Sequence, residues 1–206
     1  MGRRTVDAVG CPMDRKLVPI NNFYCMLDFI SLVKRRRSMR KFTPGLLDSA
    51  DLNLILKAAL MSPSSKGLHS WEFVLVTEPG VLCELAKCKT QGAEFLAEAP
   101  EAVVVLGDPA VSDVWIEDAS VASTMMLLQA EDLGLGSCWV QIRGRFDAEG
   151  RPAGDNVKRL LEIPENLEVL SIIALGRKGM ERKPFNEERL LMNKIHMGVF
   201  SNPSVK

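Results

Sequence analysis

Six of the eight residues from Lys34 to Lys41 are basic, and Ser38 stands among them, between Arg37 and Arg40. Arginine presents a planar fork of donors that matches phosphate oxygens, and the Ser38 hydroxyl adds another donor, so this run has the chemistry of a phosphate site. Taken alone it also reads as a solvated helix end, where cations complement the macrodipole, or as a nucleic-acid patch. Further along comes Ser62-Pro63-Ser64-Ser65-Lys66-Gly67-Leu68-His69-Ser70-Trp71-Glu72-Phe73, a hydroxyl-rich loop leading into aromatic residues. No acid–base dyad is visible. Cys138 lies in an apolar segment without a neighbouring base and reads as a small packing residue. Gly134-x-Gly136 follows a helical pattern and opens a strand, the reverse of a dinucleotide fingerprint, and reads as a helix cap.

Composition narrows the classes. The chain has 206 residues, 47% hydrophobic and 25% charged, enough for one sizeable core. Lys+Arg and Asp+Glu are both 26, so no global charge draws the protein to nucleic acid or to an anionic membrane. Five cysteines without a Cys-x-x-Cys pair, and two histidines, argue for a reducing compartment and against a metal site. No apolar run reaches the ~18 residues of a membrane span, and a cytoplasmic location is the expectation. Residues 1–25 have little periodicity and are expected to form a poorly ordered N-terminal extension, with 26–206 as a single domain.

The elements that must position these residues follow from periodicity. Leu27, Ile30 and Val33 predict a short helix from Met26 that ends in the basic run. Asp48 is a candidate N-cap for a helix carrying Leu52, Ile55, Leu56, Ala59 and Leu60 on one face and stopping at Pro63. Strands are predicted over Trp71–Thr77, Ala102–Leu106, Ser137–Ile142 and Leu167–Leu175; the fully apolar second one implies a sheet covered on both faces. Shorter helices are expected at Val81–Cys88, Ala93–Ala97, Asp155–Glu162 and Asn186–His196. Val114–Leu133 reads as a long helix. Its small residues Ala119, Ser120, Ala122 and Ser123, followed by Met125 to Leu128, leave no polar face before Gln129. Such a helix must be buried all round, and another subunit could supply the second wall.

With these segments in hand, the chain resembles the FMN-dependent nitroreductase family. Arg36-Arg37-Ser38-Met39-Arg40, Ser62-Pro63-Ser64-Ser65 with Trp71-Glu72-Phe73, Gly134 to Gln141, and Ala174-Leu175-Gly176 match four ordered family segments that together span nearly all of Met26–His196. The resemblance implies an α+β fold, a central mixed β-sheet flanked by helices with a long buried helix at the interface of a homodimer. It implies FMN in the dimer cleft and NADH or NADPH as electron donor. The reaction it implies is ping-pong reduction of a small organic acceptor such as a nitroaromatic or a quinone.

By position, Arg36, Arg37 and Ser38 would hold the phosphate and ribityl, and Arg40 would face the pyrimidine edge, where a cation raises the flavin's potential. Ser64, Ser65, Gly67 and His69 would run beside the cofactor, and Trp139, Val140 and Gln141 would bring backbone amides to N5. Gly176 marks the late turn, after which Arg177, Arg182 and Lys183 are candidates to return to the phosphate; Arg177 and Lys183 are assigned to the site. The loop departs from the commonest family pattern, Asn-Ser-Gln-Pro, by reading Gly67-Leu68-His69-Ser70. Two other readings therefore stand beside the first: a specialised flavin enzyme acting on one metabolite by dehydrogenation, dehalogenation or flavin breakdown, and a flavin-binding sensor without turnover.

Overall fold

The structure, a computed structural model, describes residues 28–200; the N-terminal extension and the helix start at Met26 lie outside the described residues. Helix α1 (Phe29–Arg35) begins at Asp28, whose side chain accepts the Ser31 amide at 2.8 Å. Helix α2 (Ser49–Leu60) follows, with Asp48 at its N-cap. The Asp48 carboxylate makes no cap bond; it takes the Arg177 guanidinium at 3.2 Å instead.

Four strands build the sheet: β1 (Trp71–Val76), β2 (Glu101–Gly107), β3 (Gly136–Gln141) and β4 (Glu168–Gly176), in spatial order β1-β2-β4-β3. All three strand pairs are antiparallel, and a parallel bridge between Ser38 and Ser137 at the outer edge of β3 makes the sheet mixed. Every residue of β2 is buried. Val103 and Val105 pack with Ile55 of α2 and with the long helix α4 (Trp115–Asp132). Ala102, Val104 and Leu106 pack on the other face with α3 (Pro79–Leu85) and α5 (Ala153–Leu161). A continuous apolar strand is what a two-sided core demands.

Helix α4 ends in a Schellman motif. The Gly134 amide bonds the Glu131 carbonyl at 2.9 Å, the Leu135 amide bonds the Ala130 carbonyl at 2.8 Å, and Gly134 takes φ +74°, open to glycine without a Cβ penalty. Within the protomer α4 is not buried all round. Ala119, Ala122, Ser123, Met126 and Ala130 are sealed against the sheet, whereas Val121 is 39% exposed, Thr124 is exposed, and Met125 and Leu128 are half-buried. These four form an i, i+3, i+4, i+7 stripe along the outer face.

The helix expected over Asn186–His196 is replaced by two short 3₁₀ turns, Glu187–Arg189 and Met192–Lys194. Their side chains are almost all exposed, and a short helix with nothing to pack against is marginal in water. Among the described residues, no helix is long and apolar enough to cross a membrane.

Glu101 opens β2 at 1% exposure. One oxygen accepts the Leu47 amide at 3.0 Å; the other is buried without a partner among the described residues. Burial pushes its carboxyl above the ordinary range, against weaker pulls from the Leu47 amide and Arg177. An acid raised by folding contributes fully below its unfolded value of 4.5, and that contribution is lost as pH rises through the folded value. Glu101→Gln keeps the acceptor and removes the charge. Its melting temperature is expected to exceed wild type at pH 8 by roughly 2–4 °C, the equivalent of ~1 kcal/mol in a chain of this size, with the gap closing toward pH 4.5. A variant melting below wild type at pH 8 would mean that the ionised carboxylate is retained for its attraction to Arg177.

Candidate functional site

The basic run leaves α1 and passes along the edge of β3. The Met39 amide bonds the Ser137 carbonyl at 2.9 Å, and the Met39 side chain is buried at 2% exposure. This anchor turns the flanking side chains outward. Arg36, Arg37, Ser38 and Arg40 then line a cleft of about 540 Å³ with Lys34, Arg182, Ile30, Val33, Phe185 and others. Five cations face it against one carboxylate, Glu187, which is paired to Lys34 at 2.6 Å. Arg37 reaches across to donate to the Lys183 carbonyl at 2.9 Å, and the Arg40 guanidinium lies 5.8 Å from the centre of the Phe95 ring. A cationic cradle carrying a hydroxyl, in a cleft of small-ligand size, suits a phosphate monoester.

Beneath it lies Cys138, 1% exposed. Burial pushes its thiol up although Arg40, Arg36 and Arg182 pull the other way. A thiol held protonated beside three guanidiniums is packing, not a nucleophile.

The open edge of β3 continues from the cleft. The carbonyls of Ser137 and Gln141 both face outward, the first toward the Met39 amide and the second toward Lys89 Nζ at 2.9 Å. Because orientation alternates along a strand, the Trp139 peptide group also faces outward, while those of Cys138 and Val140 turn to β4. Of the three amides expected at N5, Trp139 and Gln141 are presented at the edge. Val140 is not, and its side chain is 1% exposed within the core. Trp139 Nε1 donates to Gln141 Oε1 at 2.9 Å, and Gln141 Nε2 donates to the Arg143 carbonyl at 2.8 Å, so the edge is held in one arrangement.

The serine loop lies elsewhere. Asp118, buried near the start of α4, accepts the Ser65 amide at 2.8 Å and the Ser112 hydroxyl at 3.3 Å. Ser64 Oγ accepts the His69 amide at 3.1 Å. Lys66 and His69 hold φ +53° and +49° on either side of Gly67 and Leu68, conformations that cost non-glycine residues energy and concentrate at functional sites. The His69 ring lies 5.1 Å from Trp71, which stacks on Phe73 at 5.4 Å. Ser62 Oγ, Ser70 Oγ and Trp71 Nε1 are buried without a partner among the described residues.

Within one protomer the two segments do not meet. Trp71 pairs with Gly107 at one corner of the sheet, and Ser38 meets Ser137 at the diagonally opposite corner. The same separation can be read along α4. Asp118 holds the serine loop near its start, and Glu131 lies in its last turn, about 20 Å away, beside the basic run.

The late residues divide. Gly176 is a packing position: a Cβ there would stand 2.7 Å from Pro100 and 2.9 Å from Phe42. Arg177 points away from the cleft, donating to the Leu46 carbonyl at 2.9 Å and to Asp48. Lys183 offers its carbonyl to Arg37, and its side chain does not line the cleft. Arg182 does. Asp118 and Glu131 escaped the sequence reading. An acid in the first helical turn is ordinary, but Glu131 at the negative end of α4 opposes the macrodipole, and that was a usable signal.

Comparison with known proteins identifies the family and the fold. The model of the Nitroreductase family matches residues 33–177, from the basic run through β4. A provisionally named NADH dehydrogenase/NAD(P)H nitroreductase of Archaeoglobus fulgidus is 32% identical over 83% of this chain and 98% of its own length. A protein of the same provisional name from Methanothermobacter thermautotrophicus is 31% identical over 86% and 93%. Among solved structures, an FMN-dependent nitroreductase from Clostridium difficile R20291 superposes with a TM-score of 0.81 at 42% identity, covering 83% of this chain and 99% of that one. By family model, by identity over most of its length and by fold, the chain belongs to the nitroreductase family.

Proposed function

We propose that this protein is a homodimeric, NAD(P)H-dependent FMN oxidoreductase that reduces a small organic acceptor such as a nitroaromatic or a quinone by a ping-pong cycle. The observation that carries the reading is the cationic cleft lined by Arg36, Ser38, Arg40 and Arg182, with Ser38 bridged to Ser137 at the outer edge of β3. FMN, when bound, accepts a hydride from the nicotinamide and returns it to the acceptor. The chain supplies the rest. Arg36, Arg182 and the Ser38 hydroxyl neutralise and orient the phosphate, the outward amides of Trp139 and Gln141 line the ring's polar edge, and Arg40 adds positive charge where negative charge develops.

A second copy completes the site. The outer stripe of α4, Val121, Thr124, Met125 and Leu128, is centred midway between Asp118 and Glu131. A two-fold axis through that stripe reverses the helix direction and brings the Asp118 end of one copy to the Glu131 end of the other. The serine loop of each copy, with His69, then closes over the basic cleft of its mate, twice per dimer. Donor and acceptor take turns in the space between, from which water is excluded by both walls. The free thiols of Cys83, Cys88 and Cys138 fit a reducing, cytoplasmic setting. The loop residues Gly67 to Ser70, with positive φ angles at Gly67 and His69, favour a second reading, a specialised flavin enzyme acting on one metabolite.

The direct test is the flavin. Purified protein is expected to release FMN on heating and to bleach under NADH or NADPH without oxygen. Recovery of FAD, or a colourless protein that cannot be reconstituted, refutes the proposal; bound FMN that neither nicotinamide bleaches points to the specialised or sensor reading.

Four substitutions separate the roles of the cations. Arg36→Ala and Arg182→Ala are each expected to weaken FMN binding by about 1.5–3 kcal/mol, the range for a charge-assisted contact. Arg177→Ala should leave it within about twofold. Arg40→Ala should chiefly lower the flavin's potential, measured against reference dyes. Equal losses for Arg36 and Arg40 with no change of potential would reduce the run to a phosphate clamp.

Val121→Glu or Met125→Glu, placed at the centre of the stripe, is expected to give monomers that lose FMN. Obligate interfaces bury on the order of 2,000 Å² or more, and a charge at their centre is not tolerated. Sedimentation showing a monomer of the 22.8 kDa chain with flavin still bound would exclude the two-copy site.

A further inference from the structure

Glu131 is buried to 4% exposure in the last turn of α4, where the helix dipole disfavours an anion. Both its oxygens accept from Lys178 Nζ at 2.9 Å, and Arg35 Nε stands 3.9 Å away, itself buried without a hydrogen bond among the described residues. Lys178 belongs to a short ladder just past β4. Phe42 bridges Lys178, the Thr43 amide bonds the Arg177 carbonyl at 3.0 Å, and the Gly179 amide bonds the Lys41 carbonyl at 2.9 Å. The two rails of this ladder carry the arms of the cationic cleft: Arg40 precedes one, and Arg182 follows the other. Arg35, Met39, Glu131, Lys178 and Arg182 also line one small cavity behind the cleft.

We propose that Glu131 is the positioning residue of the phosphate cleft, clamping Lys178 to the end of α4 so that Arg182, which follows the ladder, is held toward the phosphate with Arg36 and Ser38. The inference rests on the FMN reading above and deepens it. Several cations gathered without a ligand repel one another. A buried carboxylate behind them offsets that repulsion and fixes the ladder before the phosphate arrives. Glu131 itself touches no substrate; it acts through Lys178 and the backbone.

Simple electrostatics and positioning predict opposite signs. Removing a negative charge near the cleft should strengthen phosphate binding by Coulomb's law, whereas loosening the ladder should weaken it. The experiment titrates FMN and riboflavin, which lacks the phosphate, into apo wild type, Glu131→Gln, Lys178→Met and the double variant, by flavin fluorescence quenching. Each single variant is expected to lose about tenfold in FMN affinity and less than about twofold for riboflavin, with the double variant no worse than either single, as for a coupled pair. Hydrogen exchange in the apo proteins gives a readout independent of flavin: the Thr43 and Gly179 amides should exchange about tenfold faster in both single variants. Unchanged or tighter FMN binding, equal loss of both flavins, additive losses in the double variant, or unaltered exchange at those amides would each overturn the clamp. If one single variant fails to fold, the other carries the comparison. A wild-type protein with no preference for FMN over riboflavin would sink the functional reading, and the exchange data would still decide the clamp.

Discussion

Two buried carboxylates on one helix organise this protein. Asp118, near the start of α4, holds the backbone of the serine loop, and Glu131, at its end, holds the lysine of the ladder behind the basic run. Charged groups are rarely buried unless paired, because desolvation costs several kcal/mol per ion. Each acid is therefore committed to its partner, and each partner belongs to one half of the proposed two-copy site. The helix between them is rigid and about 20 Å long from one acid to the other. It keeps the halves apart as surely as it keeps each in place.

That separation explains several features that are otherwise unrelated. The serine loop has strained residues and buried hydroxyls with no partner among the described residues, although the core beneath it is sealed. The basic cleft has its cations ready and an open strand edge beside it. Helix α4 is sealed on the sheet side and carries an apolar stripe on the other. In the proposed dimer these are one feature, since reversing α4 about its midpoint brings each loop to a cleft and covers both stripes at once.

The sheet makes the cleft possible by being ordinary. β2 and β4 are covered on both faces, so the edge strand β3 is held in register and can leave its outer hydrogen-bonding groups free. Ser38 and Met39 use one position of that edge and Lys89 another, and in the proposed site the stretch between them faces the ligand. Electrostatics follow the same division of labour. Glu101, whose carboxyl burial pushes above the ordinary range, opens β2, where it anchors the Leu47 loop while Arg177 is occupied by the Leu46 carbonyl away from the cleft.

Much of this was legible in the chain itself, for reasons that can be named. The apolar run of β2, the stripe of α2, the Gly134 cap and the chemistry of Arg36, Ser38 and Arg40 are local: periodicity, turn geometry and side-chain type determine them without reference to distant residues. The same locality misled at both ends of the site. Asn186–His196 has helical composition but nothing to pack against, and α4 reads as apolar all round because sequence shows composition, not which face meets the sheet. Only the tertiary structure decided that Arg182 and not Arg177 reaches the cleft, that the Val140 amide turns inward while its neighbours face out, and that the serine loop and the basic run stand at opposite corners. Those outcomes depend on strand parity, on the competition of Asp48 for one arginine, and on the order β1-β2-β4-β3, each of which arises from contacts between residues far apart in the chain.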